Sequence, residues 1–243
     1  MTNKLLSICI VTLNDKDNLI KTLKSIQYSP DIEIIIQDGK SSYDIIKVLE
    51  QFENLSDIIR IQIDKDTGIY DAMNKAVERS NGKYVMFLNC GDLLARNTHN
   101  VMIEVLSKLD ERFKCVKFFA DVAGVGINIE RASNLYFFKH MLNHQSIIYR
   151  REVFIHHKYD SNMKIAADLK HFLESDLLNN IAYMDLVLIE YMNGGAAAIK
   201  SGIKQNWKER STSWRWNISI YQRCILMIAV IVRYFLYFFR LKK

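Results

Sequence analysis

The feature that most constrains the fold is an alternation repeated through the first ninety or so residues: a short apolar run, a polar turn, then a stretch with helical spacing. Ser7 to Thr12 (SICIVT) is one such run, and Leu19, Leu23 and Ile26 recur at helical spacing within Asn14 to Gln27. Ile32 to Gln37 (IEIIIQ) and Ile58 to Ile63 (IIRIQI) predict two further strands with a helix over Tyr43 to Phe52 between them. Ile69 to Ser80 reads as a helix with Met73 and Val77 inward, ended by Asn81-Gly82 before the strand Lys83 to Leu88 (KYVMFL). Strands separated by helices build a parallel sheet, and ligands of such sheets bind outside the carboxyl ends of the strands.

The second half is less regular. A helix is predicted near Thr98 to Leu109, strands near Cys115 to Val122 and His144 to Tyr149, a helix over Ile165 to Leu178, and a strand over Ala182 to Tyr191. Gly194-Gly195 then turns the chain toward a polar helix containing Trp207 to Arg210. With 243 residues and a single proline, Pro30, the chain suits one main domain without a linker. Cys9, Cys90, Cys115 and Cys224 are dispersed, form no CxxC pair, and read as reduced cytosolic thiols. Lys4 and a short apolar run at the N-terminus read as the first strand of the fold, without a signal-peptide core.

Lys and Arg number 33 against 27 Asp and Glu, a balance that attracts phosphates, nucleic acid or anionic lipid. The basic residues are dispersed or lie in the apolar tail, with no aromatic stacking motif, which argues against a nucleic-acid partner. The strand ends, by contrast, are acidic or polar: Asp38 after the second strand, Asp64 and Asp66 after the third, Asn89 to Asp92 after the fourth. An acidic rim on a basic chain suits a divalent cation, Mg²⁺ or Mn²⁺, that bridges carboxylate and diphosphate.

Five segments, SICIVTLND, IIIQDGKSS, DKDTGIYDAMNKA, NGKYVMFLNCGD, and HQSIIYRREVF with IAADLKHFLE downstream, resemble the bacterial family-2 glycosyltransferases of cell-surface polysaccharide synthesis. The resemblance covers about Ser7 to Tyr191 and implies a GT-A-type α/β fold: a mostly parallel sheet flanked by helices, with amphipathic helices at the C-terminus. It implies a catalytic domain over 1–195, split into a donor-nucleotide half, 1–95, and an acceptor half, 96–195, followed by a helical segment, 196–243. It also implies inverting transfer of a sugar from a nucleotide diphosphate donor, with a lean to UDP, onto a saccharide acceptor.

By that resemblance Thr12 and Asp38 hold the nucleotide, and a carboxylate can accept the imide N–H of uracil. Asp38 before Gly39 also suits a turn residue. Asp66, Asp71 and Asn74 are implied to shape the donor site at the opening of a helix, although Asp66 and Asp71 equally suit helix capping. In NCGD the chain departs from the usual Asp-x-Asp-Asp run: Asn89 remains for a ribose hydroxyl, and Asp92 alone remains as a metal ligand. A scaffold that binds sugar nucleotides without turning them over is the alternative this raises.

Inverting transfer needs a base for the acceptor hydroxyl, and Asp168, among the apolar residues that open IAADLKHFLE, is the candidate. Asp168 also fits an ordinary helix N-terminal acid. His144 is a candidate ligand of metal or phosphate, or a structural histidine. Arg150 and Arg151 point to opposite faces of a strand, so at most one reaches the diphosphate. His156 and His157 read as surface residues.

Trp214 to Lys243 is apolar and aromatic. Arg215, Gln222, Arg233 and Arg240 are seven, eleven and seven residues apart, which places them within roughly 20° of one another on a helix. The longest uncharged run, Cys224 to Val232, falls far short of the roughly 20 residues that span a bilayer. The pattern fits a helix lying in the interface of an anionic membrane, with packing on the domain or in a homodimer as the alternative. The location expected is the cytoplasmic face of the plasma membrane, and the acceptor expected is a polyprenyl-diphosphate-linked glycan.

Overall fold

In the computed structural model, which describes residues 4–133, 136, 142–191 and 209, the first ninety residues form the parallel half of one sheet. Strands β1 (Leu6–Thr12), β2 (Ile32–Asp38), β3 (Ile59–Ile63) and β4 (Tyr84–Phe87) lie in the order β3-β2-β1-β4. Helices α1 (Lys16–Ser25), α2 (Ile45–Leu49) and α3 (Ile69–Glu78) fill the connections. Thr12 pairs with Asp38 and Asp38 with Ile63, so the carboxyl ends of three strands are flush. The period of two sorts the side chains: Ile8, Ile10, Ile34 and Ile36 pack with Leu19 and Leu23 of α1, whereas Cys9 and Ile35 pack with Met73, Ala76 and Val77 of α3. Because both faces are covered, β1 and β2 are apolar nearly throughout, and burying each large side chain contributes about 1.5–3 kcal/mol.

Beyond β4 the sheet becomes mixed. It continues with β5 (Leu93–Leu94), α4 (His99–Lys108), β6 (Cys115–Val122), β7 (Gly126–Asn128), β8 (Ile147–Arg150), α5 (Glu152–His156), α6 (Ala167–Glu174) and β9 (Ile181–Tyr191). The order is β3-β2-β1-β4-β8-β6-β9-β5, with β7 hairpinned onto β6. The mostly parallel sheet expected from the sequence thus holds through β4, and β8 enters antiparallel between β4 and β6. β8 starts at the rim where β4 ends, so the residues before it, His144 to Ser146, form a 3-10 turn on that rim instead of the strand predicted there.

Two predicted helices are shorter than expected. Asp44 accepts from the amides of Ile46 and Lys47 and so starts α2 at Ile45. α6 begins only at Ala167, because the amides of Lys164 to Ala166 turn toward Glu209, and Asp176, with a φ of 54°, closes its far side. The expected helices of 196–243 lie outside the described residues, Glu209 excepted. No helix among the described residues is long and apolar enough to cross a membrane.

Candidate active site

Asp38 ends β2 only 1% exposed, and its carboxylate accepts from the Ser41 amide at 2.9 Å and the Ser41 hydroxyl at 2.5 Å. The turn therefore locks the carboxylate in place, and a carboxylate offers about four acceptor positions, so room remains for a ligand. The Gly39 amide donates to the Thr12 carbonyl at 2.9 Å. A Cβ on Gly39 would stand 2.6 Å from Asp66 Oδ2, so the absence of a side chain lets the loops after β2 and β3 close on each other. Asp66 Oδ1 in turn accepts from the Gly68 amide at 3.0 Å, and Gly68 has a φ of 145°, which only glycine adopts readily.

Around this turn three polar atoms are enclosed without a well-aligned hydrogen bond, Thr12 Oγ1, the Tyr43 hydroxyl and Asn89 Oδ1, and the Tyr43 hydroxyl faces Thr12 and Ser41. Burial also pushes the Tyr43 phenol above its ordinary pKa. A poorly satisfied buried polar atom costs about 1–3 kcal/mol, so this strand-end rim is the place where added hydrogen bonds would contribute most. Cys90 is beside them, its thiol pushed up to about 12 by burial.

Asp71 and Asn74 are occupied elsewhere. Asp71 accepts from the Thr67 amide at 2.9 Å and pairs with Lys75 at 3.2 Å. Partial burial opposes its charge, but these partners outweigh it and hold the carboxyl below its ordinary pKa. Asn74 donates to the Tyr159 carbonyl and accepts from the Tyr159 amide, both at 2.9 Å. Its amide thus clamps α3 to the loop before α6. Asp64 is held by Arg79 at 3.2 Å and by Gln37.

The 3-10 turn before β8 joins the two remaining acids. Gln145 Nε2 donates to Asp92 Oδ2, and both residues are buried, Gln145 at 3% and Asp92 at 4% exposure. The neighbouring His144 directs Nδ1 to Asp168 Oδ2 at 3.3 Å. With its proton on Nδ1, the ring presents a lone pair at Nε2, which is buried and has no partner. Asp168, in the first turn of α6 and 7% exposed, has the Tyr70 hydroxyl 3.2 Å from Oδ1, where the one phenol proton is shared with the nearer Ile165 carbonyl at 2.7 Å. A buried Lys117–Glu130 pair, 2.9 Å apart, anchors the turn: Lys117 donates to Ser146, and Glu130 accepts from the Asn143 amide at 2.8 Å.

Arg150 and Arg151 do not reach this rim. β8 runs antiparallel to β4 with Arg150 opposite Tyr84, so both arginines lie at the far end of the sheet, bonded to the carbonyls of Phe113, Asp110 and Gly82. His156 and His157 are exposed, as expected.

No cluster of three or more His, Cys, Asp or Glu able to hold a cation exists among the described residues. Asp92 and His144 Nε2 are the candidate ligands on this rim, and a cation with so few protein ligands would depend on the diphosphate for the rest.

The description "Glycosyl transferase family 2" matches residues 7–162, more than half of the chain. This chain belongs to glycosyltransferase family 2. The family-2 glycosyltransferase is 28% identical over 236 residues to a PGL/p-HBAD biosynthesis glycosyltransferase of Mycobacterium bovis, covering 90% of this chain and 89% of that protein. It is 34% identical over 97 residues to the putative teichuronic acid biosynthesis glycosyltransferase TuaG of Bacillus subtilis, 38% of each chain. Among solved structures, S. aureus TarS 1-349 in complex with UDP-GlcNAc superposes with a TM-score of 0.67 at 13% identity, over 86% of this chain and 66% of that one. The mannosyltransferase PcManGT from Pyrobaculum calidifontis, in complex with GDP-Man and Mn²⁺, gives 0.60 at 16% identity, over 86% and 61%. The fold of this glycosyltransferase is accordingly of the GT-A type.

Four residues of the site escaped the sequence reading: Tyr43, Tyr70, Gln145 and Glu209. Tyr70 and Gln145 lie inside the diagnostic segments, yet a tyrosine opening a helix and a neutral amide carry no signal until their partners are placed.

Proposed function

We propose that this glycosyltransferase transfers a sugar, with inversion, from a nucleotide diphosphate donor to a saccharide acceptor in cell-surface glycan synthesis. UDP is the favoured nucleotide and a lipid diphosphate the favoured carrier of the acceptor. The observation that carries the reading is the gathering of Thr12, Tyr43 and Asn89, each with an enclosed polar atom that makes no well-aligned bond, around the buried carboxylate of Asp38 on one rim. The bound UDP-GlcNAc and GDP-Man of the structural neighbours support a sugar nucleotide, and the names of the relatives from Mycobacterium and Bacillus support a surface glycan.

In this mechanism Asp38, Thr12 and Asn89 hold the base and ribose, and Asp66 walls the turn. Asp168 takes the proton of the acceptor hydroxyl, whose oxygen bonds to the anomeric carbon as the bond to the diphosphate breaks on the opposite face. Tyr70 and His144 hold the two oxygens of Asp168 and fix the direction of its lone pairs. A divalent cation held by Asp92 and His144 Nε2 would offset the charge of the departing diphosphate.

The reading is tested by calorimetric titration with UDP, with and without Mn²⁺. Metal-dependent binding is the expected result, and absence of binding in both conditions would remove the UDP donor. Trp214 to Lys243 is proposed to lie on the cytoplasmic membrane surface. Flotation with anionic vesicles should be lost on truncation after Ser211, and retention would move the anchor elsewhere.

A further inference from the structure

Glu209 lies 18 residues beyond the end of β9, yet its carboxylate is 6% exposed and sits at the opening of α6. It accepts from three consecutive backbone amides: Lys164 on Oε1, Ile165 and Ala166 on Oε2, each at 2.9 Å. A carboxylate taken out of water needs such donors, and three charge-assisted bonds hold the backbone that donates them as firmly as they hold the acid.

That backbone leads directly into α6. The residue capping the helix is Ala166, which makes no side-chain cap bond, so the local sequence supplies nothing to fix the first turn. Asp168 is in that turn. Tyr70 grips the same lead-in from α3, donating to the Ile165 carbonyl at 2.7 Å and lying 3.2 Å from Asp168. Two distant side chains, Tyr70 and Glu209, thus replace the missing cap, and one of them comes from the C-terminal segment.

We propose that Glu209 is a positioning residue: its grip on the 164–166 backbone sets the placement of Asp168, so turnover depends on that contact. This rests on Asp168 acting as the base.

The test uses the full chain and the sugar nucleotide that the wild type turns over fastest in a panel of UDP- and GDP-sugars. Glu209→Ala should lower kcat about 10- to 100-fold, the cost of small misplacements at a reacting centre, while donor KM stays within about twofold. Glu209→Gln keeps a carbonyl oxygen for Ile165 and Ala166 but turns an NH2 toward the Lys164 amide, donor against donor, and should recover the rate only in part. Glu209→Asp keeps the charge but not the reach and should stay several-fold slower than Glu209→Gln, by about the loss of one or two hydrogen bonds. Hydrogen exchange across 164–174 should accelerate in the slow variants. Wild-type kcat in Glu209→Ala overturns the proposal, as does a loss shared equally by UDP affinity. If Glu209→Ala does not fold, the Gln and Asp pair carries the test, and equal rates overturn it. Asp168→Asn, run alongside, separates the two readings: turnover there removes the base and this coupling with it, whereas an inactive Asp168→Asn beside an unimpaired Glu209→Ala removes the coupling alone.

Discussion

His171 offers a quantitative test of how tightly α6 is packed. It lies three residues after Asp168, 1% exposed, stacked on Phe154 with ring centroids 4.3 Å apart and met edge-on by Tyr159 and Tyr149. Neither ring nitrogen makes a well-aligned hydrogen bond, and the His157 backbone nearby offsets only part of the cost of burial. Burial disfavours the imidazolium and drives the pKa from 6.5 to about 3. As pH falls, the unfolded chain therefore takes up the proton first; stability is full above the ordinary value and drains away between 6.5 and about 3. At pH 4 the unfolded imidazole is protonated and the native one is still almost wholly neutral. The gap of about 2.5 pH units, at about 1.36 kcal/mol each, removes about 3 kcal/mol relative to pH 8. His171→Met approximates the volume and cannot titrate, so its loss of stability between pH 8 and pH 4 should be smaller by that amount. Urea unfolding followed by far-ultraviolet circular dichroism at both pH values measures it. Parallel acid losses in variant and wild type, within about 1 kcal/mol, would refute the argument that His171 is a neutral, unsolvated ring.

Three further outcomes are expected. Asp168→Asn should abolish transfer with UDP affinity intact; turnover above a few per cent of wild type would exclude Asp168 as the base. Asp92→Ala removes the carboxylate that Gln145 holds and should abolish the gain in UDP affinity on adding Mn²⁺, so equal titrations with and without metal in the variant, against unequal ones in the wild type, are the predicted pattern. Gly39→Ala drives a methyl group to within 2.6 Å of Asp66 Oδ2 and 3.3 Å of Leu13 Cδ1, which should cost about 1–3 kcal/mol of stability and weaken UDP binding; unchanged affinity would show that the Asp66 loop is not part of the nucleotide site.

The donor half was readable because its signals are local. Runs such as IEIIIQ are apolar at positions facing both layers, and a polar residue at the end of such a run has nowhere to be but the rim. The second half was harder, since its decisive contacts join residues far apart in the chain. Gln145 finds Asp92 53 positions away, and Tyr70 finds Asp168 98 positions away. No periodicity encodes such meetings. The bound of at most one of Arg150 and Arg151 on the rim came from side-chain alternation; strand direction tightens it to neither, because a strand entering antiparallel carries its last residues away from the rim. Asn74 was correctly placed on α3, but a side-chain amide at a helix opening is equally suited to a ligand or to a neighbouring backbone, and Tyr159 took it.

The turn from His144 to Ser146 serves as a common gauge for both halves of the reaction. One residue sets the acid assigned to the acceptor, the next sets the acid assigned to the diphosphate, and a buried Lys117–Glu130 pair bolts the turn to the sheet. A change of register by a single residue would therefore displace both acids together.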